Sequence, residues 1–207
     1  MVESDRALWK LVRAIVAGDE TGASRLLGAS PLLARASIHA GATRQTATAY
    51  YLDRIGRYVF AGDTALHIAA AAYQTAIAQR LIAAGANVDA RNRHGDGPLH
   101  AAAVCQPGSR HWNPSAQAAT IDCLVQAGAD PNAINKNGVT PLHRAVRTRC
   151  AAAVRALLDR GADPARKNKS GSTPMLLAIR NTGRGGTGSP QAKSEQQKIQ
   201  RLLKQWA

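Results

Sequence analysis

His67, His100 and His143 each close a similar tetrapeptide: Thr64-Ala65-Leu66-His67, Gly97-Pro98-Leu99-His100 and Thr140-Pro141-Leu142-His143. Imidazoles at a recurring place could in principle hold a row of metal ions. Zinc needs its ligand nitrogens within ~2.1 Å of one ion, whereas helices packed side by side lie ~10 Å apart. The expectation is therefore a buried imidazole that hydrogen-bonds to backbone of its own unit and of the next. Gly183-Arg184-Gly185-Gly186-Thr187-Gly188-Ser189 resembles a phosphate-binding loop only in its glycines. It lacks G-K-[ST] and follows no strand pattern, so it reads as an inter-helix loop. Asp53, Asp63 and Asp122 are scattered, without paired-carboxylate spacing or a neighbouring nucleophile. Cys105, Cys123 and Cys150 are odd in number and lack C-x-x-C spacing. They suggest free thiols in a reducing cytosol, with neither a disulfide framework nor a zinc site. The expectation is a protein with no catalytic residues, metal or cofactor.

The histidine tetrapeptides are positioned by a repeat. With Thr173-Pro174-Met175-Leu176 added, their starts step by 33, 43 and 33 residues. A second marker keeps the same register: Gly85-Ala86-Asn87, Gly128-Ala129-Asp130 and Gly161-Ala162-Asp163. Thr140 and Pro141 suit the N-cap and first position of a helix, and Gly85 and Gly161 suit the residue after a helix, where positive φ is needed. Leu176 replaces histidine where no further repeat follows, in keeping with a structural role for the imidazole.

This arrangement resembles the ankyrin-repeat family. The resemblance runs from about Asp63 to the end of the chain and implies an all-α solenoid of helix-turn-helix repeats with short β-turn fingers. The expected boundaries are an N-terminal helical cap over 1–61 and four repeats over about 62–94, 95–137, 138–170 and 171–207. In that family partners bind at the finger tips and along the inner face of the first helix. Carried onto this chain, finger contacts are Arg91, Arg93, His94 and Asp96, then Lys136, Asn137 and Val139, then Lys167, Lys169, Ser170 and Ser172. Inner-helix contacts are Ala71 and Ala72, Val104 and Cys105, Arg147 and Thr148, Arg180 and Asn181.

The chain departs from the family pattern in three places. Repeat two has about ten extra residues between its helices, in Gln106–Pro114, and repeat four has an insertion over Asn181–Ala192. Its last helix is expected to open at Ser194-Glu195-Gln196-Gln197, a capping box, with Ile199, Leu202, Leu203 and Trp206 as its apolar face. The third departure is the stretch before Asp63. Leu8, Leu11, Val12, Ile15 and Val16 form one helical stripe, and Gly18-Asp19 turns into a second helix. Residues 37–48 are small and polar and read as a loop. Tyr50–Phe60 fits a helix and an extended segment equally, and is expected to cover the exposed side of repeat one. Trp112 either anchors an interface or folds back over helices; folding back is the expected role.

Charge is unevenly placed. Residues 1–135 hold 12 Lys/Arg against 10 Asp/Glu, and residues 136–207 hold 15 against 3. Charge runs usually face solvent, but Lys136, Arg147, Lys167, Lys169 and Arg180 coincide with the implied contact positions. The functional expectation is a protein–protein interaction scaffold for an acidic partner, with a nucleic acid or another polyanion as the alternative and inhibition of a partner enzyme as a third. Met1–Lys10 has no apolar core of a secretory signal, and no apolar run approaches the ~20 residues of a membrane span. A cytoplasmic monomer without a membrane segment is expected.

Overall fold

The computed structural model describes residues 3–180 and 189–206. Among the described residues, five helix pairs stack in one row. The first pair is α1 (Glu3–Ala17) and α2 (Glu20–Ala29). The remaining pairs are α3 (Ala65–Ala71) with α4 (Thr75–Ala83), α5 (Pro98–Ala102) with α6 (Pro114–Gln126), α7 (Pro141–Arg147) with α8 (Ala151–Asp159), and α9 (Pro174–Ile179) with α10 (Pro190–Gln205). Odd-numbered helices pack on one another as an inner row and even-numbered helices as an outer row. The fold is thus an all-α solenoid, as expected. The N-terminal pair acts as a further unit at its end: α1 packs on α3 and α2 on α4.

The apolar stripe of α1 explains that docking. Leu8, Leu11, Val12 and Ile15 are buried, as the i, i+3, i+4, i+7 spacing requires. Gly18 turns the chain at φ 72°, and the Asp19 carboxylate caps α2 by accepting from Gly22 N at 2.8 Å. Residues 37–48 are less free than their composition suggests. Ile38 N donates to Asp63 O and Ala42 N to Val59 O, so this stretch pairs with the chain leading into repeat one. Gly41 is required there: a Cβ would lie 2.4 Å from Ala61 N. The Tyr50–Phe60 segment is extended, forming a two-stranded hairpin of β1 (Tyr51–Leu52) and β2 (Arg57–Tyr58). A tight turn over Asp53–Ile55 ends at Gly56, at φ 60°.

The three histidines are buried. His67, His100 and His143 each accept at Nδ1 from the backbone N of their own helix cap: Thr64 at 3.1 Å, Gly97 at 3.2 Å and Thr140 at 3.3 Å. The ring proton therefore sits on Nε2, which donates to Asp96 O, Val139 O and Ser172 O at 2.9–3.0 Å. Each acceptor lies just before the next repeat's helix. The hydrogen-bonding role expected from the sequence is observed, and among the described residues no group of His, Cys, Asp or Glu is arranged to hold a metal ion.

The last helix differs from expectation. It begins at Pro190, with the Ser189 hydroxyl accepting from Ala192 N at 3.1 Å, and Ser194 lies inside it. Proline at the first helical position after a serine cap explains the earlier start. Glu195 instead reaches across to repeat three, where Oε2 accepts from Ala151 N at 3.0 Å at the start of α8. Trp206 lies past the final turn and is 44% exposed, so it adds little to the apolar face. The glycine-rich loop before Ser189 and the insertion from Asn181 lie outside the described residues.

Two outcomes follow from this packing. Burial depresses the affinity of all three imidazoles for a proton, His100 down to about 4. The folded state holds them neutral, while the unfolded chain takes up protons below about pH 6.5. Stability should be level above pH 7 and fall between pH 6.5 and 4, with His100 alone contributing on the order of 3 kcal/mol. Thermal midpoints across that range test this; a level profile, or one that His100→Gln does not flatten, would refute it. Deleting residues 189–207 should also lower the midpoint sharply or cause aggregation. It removes buried Ile199, Leu202 and Leu203, each worth roughly 1.5–3 kcal/mol in a domain that holds about 5–15. An unchanged midpoint and solubility would contradict the role of α10 in covering α8 and α9.

Candidate binding surface and cleft

The fingers are built by an asparagine that the sequence reading did not single out. The side-chain oxygens of Asn92, Asn135 and Asn168 each accept two backbone N–H bonds from the turn that follows, at 2.9–3.1 Å. Gly95 and Gly138 close these turns at φ 76° and 70°, and a Cβ on either would lie 2.9 Å from the next finger's backbone. Successive fingers are joined by Arg93 N to Ala61 O, Lys136 N to His94 O and Lys169 N to Asn137 O. Lys136 and Lys169 thus occupy equivalent, adjacent places. The recurrence of asparagine at 92, 135 and 168, in step with the other markers, was the available signal.

Lys136, Asn137, Lys167, Lys169, Arg147 and Arg180 are all exposed. Among the described residues, none of the five cations has a carboxylate within ion-pair distance. Arg147 ends α7 and Arg180 follows α9, and these two helices pack together. Arg91 is exposed but braces two fingers, with Nη1 donating to Gly95 O and Ile134 O. Arg93 and His94 gather on Phe60: the guanidinium carbon is 5.2 Å from the ring centroid and the imidazole meets the ring edge-on at 4.6 Å.

Other implied contacts are structural. Asp96 is buried, accepting from Asn135 Nδ2 at 2.8 Å and from Arg144 Nη2. The Val139 and Ser172 carbonyls receive His100 and His143. Cys105 is bonded to Cys150, with Cα atoms 5.9 Å apart. This overturns the expectation of free thiols for these two cysteines. The repeats bring residues 45 apart together: Cys105 N donates to Thr148 Oγ1, and Cys150 follows in the turn before α8. Cys123 is free and half-buried, and burial pushes its thiol up. Asn181 lies outside the described residues.

The hairpin and the repeat-two insertion wall a cleft of about 920 Å³ on the inner helices. Its floor includes Ala71, Ala72, Val104, Cys105 and Thr148, positions that the family resemblance implied as contacts. Arg54, Arg57 and Tyr58 come from the hairpin, Arg110 and Trp112 from the insertion, and Arg144 from α7. Trp112 is half-buried, so it packs and lines the cleft at once. Arg57 Nη2 lies 3.2 Å from both oxygens of Asp63, which is buried. Burial would raise the Asp63 carboxyl, but Arg57, His67, Phe60 N and Asn92 together hold it below its ordinary value. Asp96 behaves alike, with Arg144 and Asn135 overcoming the effect of burial. None of these cleft arginines stood out in the sequence, because they meet only when the hairpin, the insertion and α7 come together in the fold.

A profile of the family described as "Ankyrin repeat" matches residues 61–93 and 94–136, and one described as "Ankyrin repeats (many copies)" matches residues 124–178. The chain belongs to the ankyrin-repeat family. Ankyrin repeats generally mediate protein–protein interaction. No curated protein matches the chain. Within this ankyrin array, among the described residues, no helix is long and apolar enough to cross a membrane.

The cystine gives a direct test of how repeats two and three are coupled. It closes a loop of about 45 residues, for which chain entropy gives on the order of 4 kcal/mol. Reduction, or the change Cys105→Ser, should lower the thermal midpoint of the oxidised protein. Equal midpoints with and without reductant, in protein shown to be oxidised by intact mass, would remove the cystine from the structural account.

Proposed function

We propose that this ankyrin array is a protein-recognition module whose partner presents an acidic surface. The partner would lie along the fingers and inner helices of repeats three and four, on Lys136, Asn137, Arg147, Lys167, Lys169 and Arg180. Arg91, Arg93 and His94 would extend the surface toward repeat two. One observation carries this: these cations are exposed, and no carboxylate among the described residues compensates them. An acidic partner would supply that compensation, associate faster through steering and bind less well in salt.

Nucleic acid is the weaker alternative. Single strands call for aromatic side chains beside the cations, and residues 136–207 carry only Trp206, just past the end of the outer helix α10. The proposal includes a monomer that binds without catalysis or cofactor. It also sets the chain in the cytosol, where the Cys105–Cys150 pair would meet a reducing pool.

Charge reversal separates a recognition surface from a merely solvated one. Arg147→Glu with Arg180→Glu should abolish capture of an acidic partner identified by cross-linking in the native cell. Arg6→Glu with Arg13→Glu, on exposed positions of α1, should leave capture and its salt dependence unchanged. Equal affinity in both double variants would defeat the proposal.

A further inference from the structure

We infer that the cleft between the hairpin and the repeat-two insertion is a separate binding site for an extended, glutamate- or aspartate-bearing peptide segment. This deepens the protein-recognition proposal and rests on its acidic partner, but uses a different surface.

The cleft is cationic by construction. Arg54, Arg57, Arg110 and Arg144 line it, and Asp96 is its one carboxylate. Asp96 is already engaged by Arg144, and Asp63, behind the wall, by Arg57. Each of these two guanidiniums uses only Nη2 on its carboxylate; Nε is buried and unpartnered, and Nη1 has no hydrogen bond among the described residues. The buried carboxylates therefore act as anchors that fix two arginine forks at the cleft while leaving donors unused. A guanidinium held in this way offers Nη1 as a charge-assisted donor to an incoming carboxylate. Arg54 and Arg110 are exposed and have no ion pair among the described residues.

Shape selects a peptide over a small acid. The floor crosses three inner helices, from Ala71–Gln74 at the end of α3 through α5 to Thr148 after α7. At ~10 Å per neighbouring helix the cleft is ~20 Å long, which takes about six extended residues at ~3.3 Å each. Tyr58 is 44% exposed on one wall and Trp112 half-buried on the other. They offer apolar faces to side chains that alternate with the acidic ones. The walls are two of the three segments that break the repeat pattern, so a regular ankyrin array has no such enclosure.

The test uses full-length, oxidised protein and an array of dodecapeptides carrying zero to six glutamates on a Gly/Ser/Leu/Tyr background, with glutamine replicas. Binding should rise with glutamate number, and the glutamine replica of the tightest peptide should bind at least about tenfold more weakly. Arg54→Ser with Arg110→Ser should weaken the tightest peptide by a similar ~10-fold, with circular dichroism unchanged. Trp112→Ala should also weaken it. Arg147→Glu with Arg180→Glu should leave it unaffected, which separates the cleft from the basic face of repeats three and four. The inference is overturned if Arg54→Ser with Arg110→Ser binds the peptide normally, or if the glutamine replica binds equally. It is also overturned if free glutarate displaces the peptide at equal concentration, or if a twelve-residue oligothymidylate binds the cleft as tightly. Loss of binding in Arg147→Glu with Arg180→Glu alone would overturn the cleft and leave the basic face standing.

Discussion

The three central repeats depend on the neutral imidazole at the start of α3, α5 and α7. Its Nδ1 accepts from the cap of its own helix, and its Nε2–H holds the carbonyl that ends the next finger. One side chain thus satisfies an unpaired helix-terminal donor and fixes the distance to the following repeat. The cap donors of short helices have few other partners. α5 spans only five residues and α7 seven, far below the length at which a helix sustains itself. Tertiary anchoring of this kind is what makes such helices persist.

The same carbonyl of Asp96 that receives His67 belongs to a residue whose carboxylate receives Asn135 and Arg144. Asp63, one repeat earlier, receives Asn92 and Arg57 in the same manner. Asparagine shapes each finger, aspartate ties the finger to its predecessor, and arginine neutralises the buried charge. A buried carboxylate without that cation would carry a heavy desolvation cost. Scaffold and cleft are therefore built from shared parts: the arginines that stabilise the finger network are the ones that line the cavity.

Sequence legibility follows how local each signal is. The T-P-L-H and G-A-[ND] markers recur within short windows, so the repeats, the helix caps and the histidine bonds could be read directly. Tyr50–Phe60 was ambiguous because its hairpin has two-residue strands, too short for alternation to show. The start of α10 was misplaced because Ser194-Glu195-Gln196-Gln197 matches a capping pattern, while Ser189-Pro190 claims the cap and Glu195 serves another helix. The cystine and the cleft were invisible for a different reason. Cys105 and Cys150 meet only after repeats two and three stack, and Arg57 and Arg144 reach one cavity from elements 87 positions apart.

The strong positive charge includes two contrasting sets of cations. Arg57 and Arg144 are held by buried carboxylates, so their charge is used within the fold. Arg160 is held similarly, though at the surface, by Asp122. Lys136, Arg147, Lys167, Lys169 and Arg180 have no such partner among the described residues. Equivalent positions on stacked repeats stay neighbours, so their repulsion accumulates along the row instead of dispersing. Surface charge at contact distance is weakly costly when screened, and the outer helices of the same repeats carry exposed cations too, among them Arg155, Arg201 and Lys204. Exposed charge alone therefore marks no side of the array; an acidic surface laid along the fingers and inner helices would relieve the repulsion of that one row, which is why the proposal places the partner there.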